Sequence, residues 1–322
     1  MPKVSVIIPI YNVELYIEKC ARSLFEQTLD DIEYIFVNDN TKDCSMDILY
    51  AIMAQYPHRR DQVKIINHDK NYGAAIARKN GILAATGEYL IHCDSDDWTN
   101  PLMYEQLYNE AKRNNLDIVI CQYYEKKEKS SVIVTQHLGD NPKSTIIGHP
   151  LYCSLCNKLV KRELLSENFI YYPEYHMMED ALLCAQIFYY ANTVGYVDSP
   201  LYYYRINATS VCHISSEDGD IRRWREGYAN VKMIELFLKR NNVDKIYRNE
   251  LIQSKANVRG FLMPQLKKSN RFYNLWVKTF PELNWQYFFS HGPSCTLKIV
   301  FFLTLLGLYP AIYKLRCRVI GN

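Results

Sequence analysis

Apolar and polar positions alternate in blocks along the first third of the chain. Val4 to Ile8 is a short β-branched run and reads as a buried strand. Pro9 to Asn12 breaks it. Asn12 is the expected N-cap of a helix over 13–27 that turns Leu15, Cys20, Leu24 and Phe25 toward a core. Ile32 to Val37 is a second strand, closing in the polar run Asn38 to Asp43, and a helix over 45–55 follows. Val63 to Ile66 is a third strand. Asn71 to Gly73 is a turn, and Ala74 to Ala85 is a small-residue helix ended by Gly87. Tyr89 to Cys93 is the fourth strand.

Strands and helices joined by short connections predict an α/β fold with a parallel sheet and helices on its faces. Right-handed crossovers then bring the ligand loops to the carboxyl ends of the strands. Those loops hold Tyr11, Asn12, Asp39 and the cluster Asp94, Asp96 and Asp97. Carboxylates this close repel one another unless a cation or hydrogen-bond donors sit among them. Their oxygens suit Mg²⁺ or Mn²⁺, and a metal held by one or two of them keeps positions free for substrate phosphates. The competing reading is an acidic cap on the helix that starts near Pro101.

Further along, 101–114 predicts an amphipathic helix, 117–122 and 132–135 strands, and 125–131 a charged, solvated loop. Asn157 to Arg162 reads, on charge alone, as a basic helix face. Met177 to Asp180 opens a helix with body 181–191, and Tyr202 to Arg205 is a strand of mostly core tyrosines. Helices are expected over 221–242 and over 245–268, the latter broken near Pro264. Ile299 to Leu308 is strongly apolar and flanked by Lys298, Lys314, Arg316 and Arg318. It is shorter than the roughly 20 residues that span a bilayer. A helix in the membrane interface, contacting it through 297–318, fits the basic flanks. A buried helix docked on the domain is the alternative.

Composition narrows the picture. At 322 residues and 48% hydrophobic, the chain can bury a large core. A net charge of +3 and the lack of any recognition motif argue against a nucleic-acid partner. Met1 to Lys3 leads straight into a strand without a signal peptide, so a cytoplasmic location is expected, peripheral on the inner face of the plasma membrane if the apolar end docks there. Ten scattered cysteines, with one C-x-x-C at Cys153 and Cys156, fit reduced buried thiols. Asn207-Ala-Thr209 matches a glycosylation sequon by chance on this reading.

The first strand is followed by Pro9-Ile-Tyr-Asn12 and not by G-x-G-x-x-G, and no G-x-x-x-x-G-K-[ST] occurs. An aromatic ring, an isolated acid and a metal-binding acid cluster suit a nucleoside diphosphate presented with a metal. Val4 to Asn12, Val37-Asn-Asp39 with Asp43 and Ser45, Asn71 to Gly81, and Gly87 to Asp97 resemble, in order and spacing, the opening blocks of family 2 glycosyltransferases. The resemblance is strong over the first third and extends more weakly to Ser210.

It implies a GT-A fold, Rossmann-like with a mostly parallel central sheet. It also implies inverting transfer of a sugar from a nucleoside diphosphate sugar, a UDP-sugar foremost, to a glycan or lipid-linked glycan acceptor in surface polysaccharide synthesis. A divalent Mn²⁺ or Mg²⁺ would sit at the D-x-D acids Asp94 and Asp96, with Asp97 beside them. Pro9, Tyr11, Asn12, Asp39, Arg78, Asp94 and Ser95 would bind the nucleotide donor, with Tyr11 and Asp39 on the base. The acceptor hydroxyl must lose a proton as it attacks, and the family places its base in a Glu-Asp pair, here Glu179 and Asp180. Asp180 is the expected base and Glu179 its neighbour. Capping of the helix by both acids is the alternative.

The implied organisation is a glycosyltransferase domain over 1–218, with a donor half of about 1–124 and an acceptor half of about 125–218. A helical extension follows over 219–322. Asn40 and Thr41 stand where the family has glycine and serine, and asparagine tolerates the left-handed backbone such a turn needs. Arg78-Lys79 replaces the usual Arg-Asn, so no role passes to Lys79. Two other functions compete: a sugar-phosphate nucleotidyltransferase, which would need a glycine-rich loop after the first strand, and a catalytically silent sugar-nucleotide-binding partner of a larger assembly.

Overall fold

Strands β1 (Val4–Ile10), β2 (Ile32–Asn38), β3 (Val63–Asn67) and β4 (Tyr89–His92) alternate with helices α1 (Ile17–Phe25), α2 (Ser45–Met53) and α3 (Ala74–Ala84) in the computed structural model of the chain. The structure describes residues 1–127, 130–148, 152–206, 216–266, 270–291 and 293–308. β1 pairs in parallel with β2 and β4, and β2 with β3. β1 is covered on both faces. Val4, Val6, Ile8 and Ile10 join one apolar cluster with α1, and Ile7 joins the other. That double burial is why its sequence is a continuous apolar run. Pro9 is tolerated in this central strand because the ladder with β4 ends at the Ile7–His92 pair. α3 lies very close: a Cβ on Gly81 would stand 2.4 Å from Ile7 Cγ2.

After β4 the sheet changes character. β5 (Trp98–Thr99), α4 (Met103–Asn114), β6 (Ile118–Lys126), β7 (Ser131–Val134), α5 (Pro142–Gly148), β8 (Lys158–Lys161), α6 (Glu163–Ser166), α7 (Glu179–Tyr190) and β9 (Val194–Arg205) follow in order. β8 runs antiparallel between β4 and β6, β9 parallel to β6, and β5 antiparallel to β9. The path reads β3-β2-β1-β4-β8-β6-β9-β5, with β7 on β6. A parallel half thus carries the first ligand loops, and a mixed half supplies α7 and β9.

Three expectations change. The first helix starts at Ile17 with Tyr16 at its cap; Asn12 instead takes a left-handed turn at φ 53°, and Leu15 is 81% exposed. Residues 158–161 form β8 and not a basic helix face. Leu159 enters one apolar cluster and Val160 the other, the alternation of a strand. β6 continues through Lys126 into the expected loop. α5, which no apolar periodicity marks, packs Ile146 and Ile147 into the core. Asn40 does adopt φ 57°, as its replacement of glycine requires.

Helices α8 (Glu217–Arg240), α9 (Arg248–Gly260), α10 (Asn270–Lys278), α11 (Leu283–Phe289) and α12 (Cys295–Leu305) complete the described chain. Ser216 caps α8 by accepting the Gly219 N–H at 3.1 Å. Phe237, Val258, Trp276 and Phe301 from these helices share one apolar cluster with Leu182 and Leu183 of α7 and Leu90 of β4. The last helix is two-faced: Phe301 and Thr304 are buried, while Leu297, Ile299, Phe302 and Leu306 are exposed. Among the described residues no helix is long and apolar enough to cross a membrane. Lys314, Arg316, Arg318 and the 207–209 sequon lie outside the described residues. The described cysteines are free thiols, and six of them, Cys153 and Cys156 included, are buried.

Candidate active site

The loops after β1 and β2 are stitched together by side chains. Asn12 N–H donates to Thr41 Oγ1 at 2.8 Å, Val13 N–H to Ser45 Oγ at 3.0 Å, and Glu14 N–H to Asp43 Oδ2 at 2.9 Å. Burial alone would raise Asp43, but hydrogen bonds from Ser45, Thr41 and the Glu14 and Ser45 N–H groups outweigh it and hold the carboxyl at about 2. Tyr11, at the tip of β1, keeps its ring 43% exposed. Pro9 lies inside β1 itself.

Asp39 is not the isolated acid the sequence suggested. It is buried, shares a 2.7 Å hydrogen bond with His68 Nδ1, and accepts from Tyr72 N–H at 2.9 Å and Gly73 N–H at 2.6 Å. His68 is braced in turn by Asn80 at 2.8 Å. These bonds shape the turn that starts α3. Gly73 sits there at φ +93°, and a Cβ would stand 2.4 Å from His176 Nε2. Three bonds leave one of the roughly four lone-pair positions of a carboxylate.

The acid loop divides by role. Asp97 is buried, accepting from Tyr202 Oη at 2.6 Å and Arg205 N–H at 2.6 Å. With one bond on each oxygen, two of its roughly four lone-pair positions are taken, and it braces the loop against β9. Ser95 is also buried. Asp94 and Asp96 are the less buried acids of the loop. Asp96 is pushed up to about 6 by burial and by the charge of Asp94, only partly offset by Arg205 and Arg78. Two hard carboxylates that repel each other in a half-buried loop are a donor set a divalent cation would relieve, so the residues fit Mg²⁺ or Mn²⁺. Among the described residues no three His, Cys, Asp or Glu side chains gather as a ready-made metal cage.

Arg78 is the residue that joins the two halves. It is not a surface charge on α3. Its Nη2 bonds Asp94 Oδ1 at 2.6 Å and its Nη1 pairs with Glu179 Oε1 at the start of α7. Burial works against its charge, but Glu179 and Asp94 outweigh burial and keep it firmly protonated. Met178, left-handed at φ 64°, turns the chain into α7. Burial raises Glu179 against the pull of Arg78. Burial raises Asp180 too, with Arg78 and Lys158 opposing and Asp94 reinforcing. Arg78 Nε, Glu179 Oε2 and Asp180 Oδ1 are buried without a hydrogen-bond partner among the described residues. They line, with Leu155, Tyr172 and Pro173, a cavity of about 10 Å³, space for a single water. Unpaired buried polar atoms are costly, and such groups concentrate where a ligand completes them.

The sequence reading missed His68 and Lys158. Lys158 is buried beneath this pair, its Nζ donating to Ser154 O at 2.8 Å and to Gln136 Oε1 and Asn157 Oδ1 at 3.0 Å. Burial lowers its pKa. Tyr202 was within reach, since its motif stood out, but its hydroxyl contact with the acid loop depends on β9 lying beside β5.

Comparisons with known proteins agree with this geometry. The profile of "Glycosyl transferase family 2" matches residues 5–182, over half the chain. EpsH of Bacillus subtilis (strain 168), named as a glycosyltransferase, is 33% identical over 78% of this chain and 73% of its own length. EpsJ of the same organism, also named as a glycosyltransferase, is 36% identical over 66% of this chain and 64% of its own. A poly(ribitol-phosphate) beta-glucosyltransferase of Bacillus spizizenii is 31% identical over 63% of this chain and 32% of its own length. In structure the chain resembles residues 1–349 of S. aureus TarS solved with UDP-GlcNAc, at TM-score 0.55 and 20% identity, covering 85% of this chain and 83% of that one. It also resembles the mannosyltransferase PcManGT of Pyrobaculum calidifontis, solved with GDP-Man and Mn²⁺, at TM-score 0.51 and 14% identity over 95% and 87% of the two chains. These likenesses carry the GT-A fold. With the profile match and the EpsH identity, the chain belongs to glycosyl transferase family 2 and is a nucleotide-sugar-dependent glycosyltransferase.

Proposed function

We propose that this enzyme transfers a sugar, with inversion, from a UDP-sugar to a glycan or lipid-linked glycan of a surface polysaccharide. The observation that carries the reading is the arginine bridge. Arg78 ties Asp94, at the end of a donor-side strand, to Glu179, at the head of an acceptor-side helix. One cation therefore links a phosphate-side acid to the pair expected to activate the acceptor. The relative named a poly(ribitol-phosphate) beta-glucosyltransferase supports the substrate class. The neighbour bound to UDP-GlcNAc supports UDP.

In this reading Tyr11 packs on the base, and the free lone pair of Asp39 accepts a ring N–H. Pro9, Asn12 and Ser95 shape the loops around the nucleotide. Asp94 and Asp96 would hold Mn²⁺ or Mg²⁺, whose charge stabilises the departing diphosphate. The acceptor oxygen bonds to the anomeric carbon as the bond to the diphosphate breaks on the opposite face. Asp180 takes the hydroxyl proton, and its burial, by favouring the protonated form, makes it a better acceptor of that proton than a solvated aspartate. Glu179 holds Arg78 and borders the acceptor. Residues 1–218 carry this chemistry in donor and acceptor halves, and the described residues beyond them form a helical extension that ends with α12.

A panel of nucleotide sugars, each incubated with purified protein with Mn²⁺, Mg²⁺ or a chelator, tests the core claim. Metal-dependent release of UDP in the presence of acceptor is expected. Full turnover in chelator, or no release from any donor, sinks it. The outward face of α12 supports peripheral contact with the inner leaflet of the plasma membrane. Ile299→Ser with Leu306→Ser should release the protein from anionic vesicles without lowering its melting temperature, because both side chains are more than half exposed. Unchanged vesicle binding would remove the membrane role.

A further inference from the structure

The edge of the mixed half carries a ladder of stacked rings. Trp98 and Tyr203 lie 5.3 Å apart at 8°, and Tyr203 and Tyr124 lie 5.1 Å apart at 8°. Strand register places them: Trp98 of β5 and Tyr124 of β6 each sit opposite Tyr203 of β9. Three cations cover the ladder. Lys19 Nζ, from α1, stands 3.1 Å from the Trp98 centroid. Lys126 Nζ lies 5.0 Å from Tyr124 and 5.6 Å from Tyr203. The Arg205 guanidinium lies 4.4 Å from Tyr16 and 5.4 Å from Trp98. Among the described residues none of the three forms a salt bridge with a carboxylate. Burial lowers the pKa of Lys19, and Arg205 and Lys126 lower it further.

A solvated charged face would spread such groups apart. Here three separate elements bring them onto one aromatic surface, where their mutual repulsion opposes the cation–π attraction. An anion would complete the arrangement. The site is contiguous with the acid loop, since Arg205 Nε donates to Asp96 O at 3.0 Å. The acids of that loop are themselves assigned to the donor diphosphate, so the platform lies beside the donor and not in its place. Cations spaced along a stack of rings suit a ligand that carries negative charge at more than one point along its length.

We propose that Lys19, Lys126 and Arg205, held in place by Trp98, Tyr203 and Tyr124, form a binding platform for a phosphate ester of the acceptor. This rests on the glycosyltransferase reading above and names the chemistry of its second substrate. The phosphate could belong to a soluble poly(polyol phosphate) or to a lipid diphosphate headgroup, and the test separates these sources.

The full chain is titrated with fluorescent oligo(glycerol phosphate), with a phosphate-free polyglycerol of equal length, and with vesicles that either contain isoprenyl diphosphate or lack it. UDP affinity is measured on the same preparation. The parent should bind at least one phosphate probe better than its phosphate-free counterpart, with affinity falling as salt rises. Binding to the oligomer alone or to the vesicle alone identifies the source. Lys19→Met with Lys126→Met keeps the aliphatic stems and should weaken that binding by roughly 10- to 100-fold, the worth of one or two charge-assisted contacts. Lys19→Arg with Lys126→Arg should restore most of it, and UDP affinity should hold throughout. The proposal is overturned if phosphate confers no preference, if the Met pair binds the probe as the parent does, or if UDP affinity falls in step with the probe, which would give the cations to the donor. A parent that binds no UDP would instead overturn the glycosyltransferase reading.

Discussion

The loops at the ends of β1 and β2 and the head of α7 meet the same ligand-binding region in opposite conditions. In the loops nearly every polar group is already answered. Asp39 holds three hydrogen bonds, Asp43 is drawn down to about 2, and the 12–14 and 41–45 segments are tied by backbone donors. At α7 the acids are pushed up by burial, and Glu179 Oε2 and Asp180 Oδ1 lack partners among the described residues. The first region is preorganised for binding, and its bonds stabilise the fold. The second is held in an unfavourable electrostatic state, the condition proposed above for the group that takes the acceptor proton.

This contrast is sharpest in catalysis. Asp180→Asn should cost on the order of 10²- to 10⁴-fold in kcat, with donor KM nearly unchanged. Sugar transfer and UDP binding measured together check it; an active Asp180→Asn with a dead Glu179→Gln would exchange the two roles. The base must be ionised to work, so kcat in the parent should rise with pH through an apparent pKa above the ordinary aspartate value of about 3.9. A pH–rate profile without that acid limb would remove Asp180 from the chemistry.

Asp96→Asn should lose roughly 10- to 100-fold in activity and weaken UDP binding only when Mn²⁺ or Mg²⁺ is present, leaving the melting temperature intact. Equal UDP affinity with and without metal in the parent would break the link between this acid and the cation. The smallest effect belongs to the preorganised side. Asp43→Asn should lower stability at pH 7 by about 1 kcal/mol, solvent exposure keeping it modest. Because the folded carboxyl titrates at about 2 and an unfolded one near 3.9, that contribution is present above pH ~4 and lost as pH falls toward 2. Denaturant melts of both proteins at pH 7 and pH 3 should therefore differ most at pH 7.

The parallel half was legible because its physics is local. Double burial writes itself as unbroken apolar runs, and turn residues such as Asn40 and Gly73 mark their own backbone. Arg78, Glu179 and Asp180 were legible only through family motifs, since residues about a hundred positions apart meet through the sheet path. β8 was hidden because Lys158 and Lys161 bracket just two apolar residues, and no charge pattern announces a lysine buried against Gln136 and Asn157. Asp97 looked equivalent to Asp94 and Asp96. Its separation from them follows from Tyr202 and Arg205, which reach it from a strand more than a hundred residues later.

The shared apolar cluster bears on how the chain can be divided. The family profile ends at residue 182, four residues into α7, which runs from Glu179 to Tyr190. A fragment cut there would carry both acids on a single unsupported turn of helix. It would also lose Leu183 and strip Leu182 of the cluster that holds Phe237, Val258 and Trp276. Stability of α7 is thus borrowed from residues beyond the span of the family profile, so the boundary of the family match and the boundary of the folding unit are different places in this chain.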